Sequence, residues 1–460
     1  MLPTIFGISG LRGIVGQDLL PDPVARAAAA FGTFVGPGTV AVGRDTRSSG
    51  EMMLSAANAG LIASGCEVVD LGICPTPTVL YYTRLSRLAG AIVLTASHNP
   101  EQWNGMKFVS RDGDFLTLEE LSAFRKLVKS GPIRYAAWDA IRPVKQNPNA
   151  IYAHVNAIIG NRLFRDIRTA IIGRKLKVGV DAVNGAASVA AVQLVDALGA
   201  EPVKLYCSIE SGKPVGFPRP PEPTAENITD LCNLVKERKL DLGIAFDPDG
   251  DRFSCVDETG TALGEEATIC LAARYVLSRK KGAVVVNLST TRAIDDVCAG
   301  FGITVERTPV GEASVVERMK AVNAVLGGEG NGGVIIPELN FTRDGLVAAA
   351  TVLGLLSENS GPLSAIRQSI PEYHRVKTTV AMSREQFNSG SDRLAAEFGD
   401  AQPDKRDGLK LSGQDYWLHC RASNTEPMVR LIAECRTEAQ VADVVQRAQR
   451  VLGDSGKDKA

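Results

Sequence analysis

The chain has 460 residues, more than one ordinary hydrophobic core accommodates, so roughly three or four domains are expected. Its 45% hydrophobic and 22% charged residues are those of an average soluble globular protein, and 45 glycines with only 5% aromatics suit an α/β architecture rich in tight turns. A formal net charge of -1, from 51 basic and 52 acidic residues, excludes the broad basic footprint of a nucleic-acid binder. No apolar run approaches a membrane span, and MLPTIFGISGLRG at the N-terminus lacks the charged and apolar regions of a leader. Nine cysteines, scattered singly without CxxC spacing, point to buried thiols in a reducing compartment, hence to a cytoplasmic protein.

Short Val/Ile-rich runs recur along the chain, each ending in a polar, Gly-rich loop and followed by a helix-like stretch. They begin with TVAVGRDTR at 39–47 and AGAIVLTASHNP at 89–100, continue with LKVGVDAVNGAAS at 176–188 and LDLGIAFDPDGDR at 240–252, and end with AVVVNLSTT at 283–291 and AVLGGEGNGGVIIP at 324–337. Helical spacing marks PDPVARAAAAFGTFV at 21–35, EMMLSAANAGLIASG at 51–65 and NITDLCNLVKERKL at 227–240. This alternation implies parallel or mixed sheets with ligands at the carboxyl ends of strands, where the loops sit. From about residue 371 the rhythm changes to strands joined by short turns with helices alongside, a small α+β domain. The expected divisions are 1–148, 149–256, 257–370 and 371–460.

Four loops carry candidate chemistry. In TASHNP at 95–100, Ser97 reads either as an exposed nucleophile on a tight turn or as a simple turn or cap residue. Downstream, Lys107 offers a cation to polarise a phosphate or shuttle a proton. DPDGDR at 247–252 sets Asp247, Asp249 and Asp251 at alternate positions after an apolar strand, an all-oxygen set suited to Mg²⁺. An EF-hand is excluded, because Arg252 stands where its loop needs Gly and the flank is a strand. In GGEGNGG at 327–333, Glu329 and Asn331 can read sugar hydroxyls, against a default reading as a structural turn. RASNTEPMVR at 421–430 gathers Arg421, Ser423, Asn424, Thr425 and Arg430, the parts of a phosphate cradle or of a polar hairpin end. Arg12 and Arg44 are further loop candidates, while His154, His374 and His419 read as structural or solvated.

In this order and spacing the motifs closely resemble the α-D-phosphohexomutase superfamily, over essentially the whole chain from FGISGLRG at 6–13 to RASNTEPMVR. The resemblance implies four domains around a central cleft, each giving one loop: three related α/β domains with mixed sheets and a smaller C-terminal α+β domain. It implies that Ser97 is a phosphorylated nucleophile and, with the three aspartates, a ligand of one Mg²⁺ per chain. Arg252 then lies close to the reacting phosphate, and Arg12, His98 and Lys107 become candidates for proton transfer or phosphate polarisation. The expected chemistry is exchange of a phosphoryl group between Ser97 and a phosphosugar through a bisphosphorylated intermediate, with sugar 1,6-bisphosphate as activator and a monomer or homodimer as the working form. Two departures stand out: Asn331 where many members have Ser, and Glu312 after TPVG where some bacterial members have His. The GEGNGG form looks most like archaeal-type phosphoglucosamine mutases, with mannose or glucose phosphate as the alternative substrate. A phosphatase or a non-catalytic phosphosugar sensor are the competing functions.

Overall fold

The computed structural model describes residues 6–7, 10–209, 216–423 and 427–454. The apolar runs become the inner strands of four sheets. In the first, the order is Phe6–Gly7, Gly10–Ile14, Trp103–Val109, Gly90–Leu94, Thr39–Arg44, Glu67–Ile73, Lys145–Gln146. Its last four strands are parallel and the rest antiparallel. Every residue of Gly90–Leu94 is buried, as a strand covered by helices on both faces requires.

The second sheet (Phe253–Asp257, Leu242–Phe246, Lys177–Asp181, Glu201–Leu205) and the third (Val305–Thr308, Val284–Asn287, Leu326–Glu329, Gly333–Ile335) repeat one plan. Each has three parallel strands and one antiparallel return strand. The fourth sheet is wholly antiparallel, ordered His374–Ala381, Met428–Cys435, Tyr416–Ala422, Leu409–Ser412, Gln402–Asp404. Helices Arg384–Glu397 and Glu438–Asp454 belong to this unit, and its core is separate from the others. The molecule is thus α/β with mixed sheets and a smaller C-terminal antiparallel unit.

The sequence differs from this fold at the motif loops. A helix is expected after TASHNP, DPDGDR and the Glu329 loop, yet all three turn back into antiparallel strands; the short turn expected after Tyr416–Ala422 does join antiparallel strands. The reason is local: WNGMKFV and FSCVD are too short and too uniformly buried to offer a helix a polar face. Strands at both ends hold the first three loops, so their side chains are carried on rigid supports. Among the described residues no helix is long and apolar enough to cross a membrane, and all nine cysteines are free thiols.

The second and third sheets share one apolar cluster, running from Val155 to Ile370. Helix Gly345–Glu358 explains this: Leu346, Val347, Val352, Leu353, Leu355 and Leu356 are all buried within it. His154 sits beside that junction, with Nε2 at 3.0 Å from Asp344 Oδ2 and Nδ1 at 3.0 Å from Thr78 Oγ1, so it is structural as expected.

Candidate active site

Strand Gly90–Leu94 delivers Ser97 to the centre of the molecule with a left-handed backbone, φ 51°. Its Oγ donates to Asp247 Oδ2 at 3.1 Å and lies 3.4 Å from His98 Nδ1. The return strand Trp103–Val109 carries Lys107, whose Nζ donates to Asp249 Oδ2 at 2.6 Å and Asp251 Oδ2 at 3.0 Å. Arg12 is held by Asn99, Nη1 to Oδ1 at 3.0 Å. Thus the first sheet supplies a hydroxyl, an imidazole and two cations to one point.

The DPDGDR loop meets them. Asp247, Asp249 and Asp251 are buried, with one ligand atom from each lying within 4.8 Å of the others. Asp249 Oδ2 also accepts from Thr76 Oγ1 at 2.6 Å, and Asp251 Oδ2 from Arg343 Nη2 at 2.9 Å. That leaves Asp249 Oδ1 and Asp251 Oδ1 buried without a hydrogen-bond partner. Buried carboxylate oxygens without partners are costly, and a hard divalent cation relieves that cost. The donor set therefore fits Mg²⁺.

Electrostatics divides the roles. Burial, reinforced by Asp249 and Asp251, pushes the Asp247 carboxyl well above the usual range. Burial also opposes the charge on Asp249, but Lys107 outweighs it and the carboxyl is lowered; Arg343 does the same for Asp251. Burial works against the Lys107 ammonium too, yet Asp249 and Asp251 win and its pKa is raised. His98 is pulled down to about 3, first by burial and then by Arg252 and Arg12. It stands as a neutral imidazole beside Ser97. Arg252 donates its backbone N–H to Asp247 Oδ1 at 3.1 Å and pairs its side chain with Glu222.

Glu329 closes the other side. Its Oε1 accepts from Asn287 Nδ2 at 2.9 Å and Gly311 N at 3.2 Å, and its Oε2 from Arg343 Nη1 at 3.1 Å and Asn331 Nδ2 at 3.3 Å. The glycines around it have their own reason. Gly332 has φ +83°, and a Cβ there would fall 2.0 Å from Phe253 O. The glycines let the loop press against the second sheet, as a structural turn does, and Glu329 and Asn331 line the cleft.

Arg421 and Arg430 are directly opposite on strands Tyr416–Ala422 and Met428–Cys435. Like charges in that register repel unless an anion lies between them. Arg421 also pairs with Asp407, Nε to Oδ2 at 2.8 Å, and Ser423 N bonds Met428 O across the hairpin. Asn424 and Thr425 lie outside the described residues.

A cavity of 430 Å³ joins Arg12, Ser97, His98, Lys107, Arg252, Glu329, Asn331 and Arg430, and a second of 450 Å³ continues past His98, Arg252, Glu329 and Asn331 to Arg421 and Arg430. Together they make one cleft, with Ser97 in one lobe, Arg421 in the other and Arg430 reaching both. Arg44 is not part of it; its side chain is engaged by Glu51 and the Asp45 carbonyl. Sequence reasoning missed Arg343, Arg375 and the part played by Glu312. Arg343 holds Asp251, Glu329 and Glu312 at once, with Nε to Glu312 Oε2 at 3.0 Å. Arg375 lines the second lobe and donates to Ser289 O at 2.7 Å. His419, expected to be structural or solvated, also lines that lobe while its Nδ1 pairs with Ser289 Oγ at 2.8 Å.

Comparison with known proteins gives the same answer along the whole chain. Models of phosphoglucomutase/phosphomannomutase match as alpha/beta/alpha domain I at 3–131, domain II at 153–260, domain III at 265–373 and the C-terminal domain at 380–451. A Methanopyrus kandleri protein named "Probable phosphoglucosamine mutase" is 35% identical over 446 residues, covering 95% of each chain. A Thermococcus kodakarensis protein named phosphoglucomutase/phosphomannomutase is 33% identical over 461 residues, covering 98% of this chain and 99% of its own. The crystal structure of a phosphoglucomutase/phosphomannomutase family protein from Burkholderia thailandensis superposes with a TM-score of 0.83 at 29% identity, over 97% of this chain and 96% of that one. The chain belongs to the phosphoglucomutase/phosphomannomutase family of the α-D-phosphohexomutase superfamily, and is a phosphohexomutase, an isomerase that moves a phosphoryl group.

Proposed function

We propose that this phosphohexomutase interconverts the 6- and 1-phosphates of glucosamine through a phosphoserine at Ser97. The observation that carries the reading is the placement of Ser97 Oγ, 3.1 Å from Asp247 and in the same cleft as the Arg421–Arg430 pair. Phosphoserine gives its phosphoryl group to the free hydroxyl of a bound monophosphosugar. One P–O bond forms to the sugar oxygen, the bond to Oγ breaks, and the hydroxyl proton ends on Oγ. The bisphosphate then turns end for end and its other phosphate returns to Ser97 by the same step reversed. Sugar 1,6-bisphosphate activates by charging Ser97 in this way.

The residues divide the work. Arg421 and Arg430, with Ser423, Asn424 and Thr425 of the same loop, hold the phosphate that is not reacting. Arg12, Arg252 and Lys107 surround the one that is. His98, kept neutral, accepts a hydrogen bond beside Oγ. Asp247, Asp249 and Asp251, with Ser97, hold Mg²⁺, which supplies positive charge against the charge of the moving phosphoryl group. Glu329 and Asn331 orient the sugar ring between the lobes.

One feature favours glucosamine: the Methanopyrus kandleri relative bears the name "Probable phosphoglucosamine mutase". The Thermococcus kodakarensis relative supports the second reading, mannose or glucose phosphate. An assay of glucosamine, glucose and mannose 6-phosphates with Mg²⁺ and a trace of bisphosphate separates them. The highest kcat/KM is expected for glucosamine 6-phosphate; comparable values for all three contradict the glucosamine assignment and leave the mutase intact.

A further inference from the structure

Ser97 is a β-carbon-bearing residue in left-handed backbone, a conformation that such residues adopt only when their surroundings impose it. Both of its backbone polar groups are bonded to one buried side-chain network. Ser97 N donates to Thr95 Oγ1 at 2.9 Å, and Thr95 Oγ1 donates to Asp45 Oδ2 at 2.6 Å. Ser97 O accepts from Arg47 Nη2 at 2.6 Å, and Arg47 Nε donates to Asp45 Oδ2 at 3.0 Å. The ring closes on Asp45.

Arg47 reaches further along the loop. Its other donations go to Asn99 O at 2.8 Å, Pro100 O at 2.6 Å and Trp103 O at 2.9 Å. All five N–H donors of a guanidinium are therefore spent, four of them on carbonyls of the 97–103 segment. Its side chain is fully buried, as is that of Asp45. A hydroxyl reacting in line with a phosphorus atom needs its oxygen fixed, because a misplacement of about 1 Å costs on the order of 100-fold in rate. A left-handed Ser97 aims Oγ at Asp247 and at the cleft; extended or right-handed backbone at this residue would swing it away.

We propose that Asp45, Arg47 and Thr95 are positioning residues that hold Ser97 in its left-handed turn and so set the in-line approach of its Oγ. The proposal rests on the reading of Ser97 as the phosphoryl-carrying nucleophile. None of the three side chains lines the cleft, so they act through Ser97 and do not touch the sugar.

Thr95→Val is close in shape and removes the acceptor for Ser97 N; Thr95→Ser keeps it. Arg47→Lys keeps the charge but loses the fork that spans four carbonyls. Each is read well below its unfolding temperature by steady-state kinetics and by transfer of phosphate from glucose 1,6-bisphosphate to Ser97, followed by intact mass. In that transfer the Oγ–P bond forms, the sugar–phosphate bond breaks and the Oγ proton ends on the sugar oxygen. Thr95→Val and Arg47→Lys are expected to lose on the order of 100-fold in kcat and in the transfer rate, with KM for the monophosphosugar unchanged and Thr95→Ser restoring most of the rate. A residue that only stabilises the fold would lower the unfolding temperature and leave kcat alone. Folded Thr95→Val or Arg47→Lys with wild-type kcat and transfer rate overturns the proposal while the relay stands. A wild-type enzyme that never takes phosphate on Ser97 overturns both.

Discussion

At the residue scale, the most informative atoms are the two carboxylate oxygens left without partners, Asp249 Oδ1 and Asp251 Oδ1. A ligand that binds only the folded state stabilises it by an amount that grows with the logarithm of its concentration over Kd. Adding Mg²⁺ to the metal-free protein should therefore raise its unfolding temperature, and Asp249→Asn should abolish that rise and lower kcat by 100-fold or more, on the order of 3 kcal/mol in transition-state terms. A thermal-shift titration reads the first without turnover. DPDGDR and TASHNP were legible because their residues are neighbours in the chain, so spacing alone suggests convergence. Arg343 was not: it meets Asp251 across 92 positions and Glu329 across 14, and a single Arg before an Asp-Gly carries no local signal. Arg44 and Arg47 read alike in GRDTR, yet only the turn after strand Thr39–Arg44 decides which one folds back under Ser97.

At the scale of elements, strand–loop–strand hairpins do the positioning; the first two meet through Ser97, Lys107 and the three aspartates, and Arg343 ties the third to them. The alternation of apolar runs made the sheets legible, but a helix was expected after the first three motif loops, where return strands stand. Short buried segments are ambiguous between the two, and burial by neighbouring helices decides. The joint between the third sheet and the C-terminal sheet shows what such contacts contribute. His419 is bonded to Ser289 Oγ at 2.8 Å and to Asp407 O at 2.7 Å, and Lys410 Nζ reaches Leu288 O at 2.6 Å. Burial lowers the His419 pKa to about 4 from the usual 6.5 of a histidine. Above pH 6.5 the imidazole is neutral in both folded and unfolded chains and its contribution is full. As pH falls through 6.5 toward 4 the unfolded chain takes up the proton first, and about 3 kcal/mol is lost. Urea unfolding at pH 7 and pH 5 should show this fall in the wild type and a shallower one in His419→Gln.

At the scale of the whole molecule, two units share one apolar core, and the first packs an apolar cluster against helix Ala150–Gly160. The apolar cluster shared by the second and third sheets makes them one body, with Leu353 at its centre and 0% exposed. Leu353→Ala should cost about 2–5 kcal/mol, and calorimetry should show the second and third units still unfolding together. The four-unit plan was legible from length and the recurring rhythm, whereas the shared core was not, since nothing in the apolar helix Gly345–Glu358 says which sheet it serves. The central claim joins all three scales: Ser97 carries the phosphoryl group. Its most direct test is to charge the enzyme with glucose 1,6-bisphosphate, remove the excess, add sugar 6-phosphate, and follow the phosphate on the Ser97 peptide by rapid quench and mass spectrometry. The account predicts one phosphate per chain on Ser97, passed to the sugar at least as fast as turnover, and none on an inactive Ser97→Ala variant. Turnover by Ser97→Ala at the wild-type rate would contradict it.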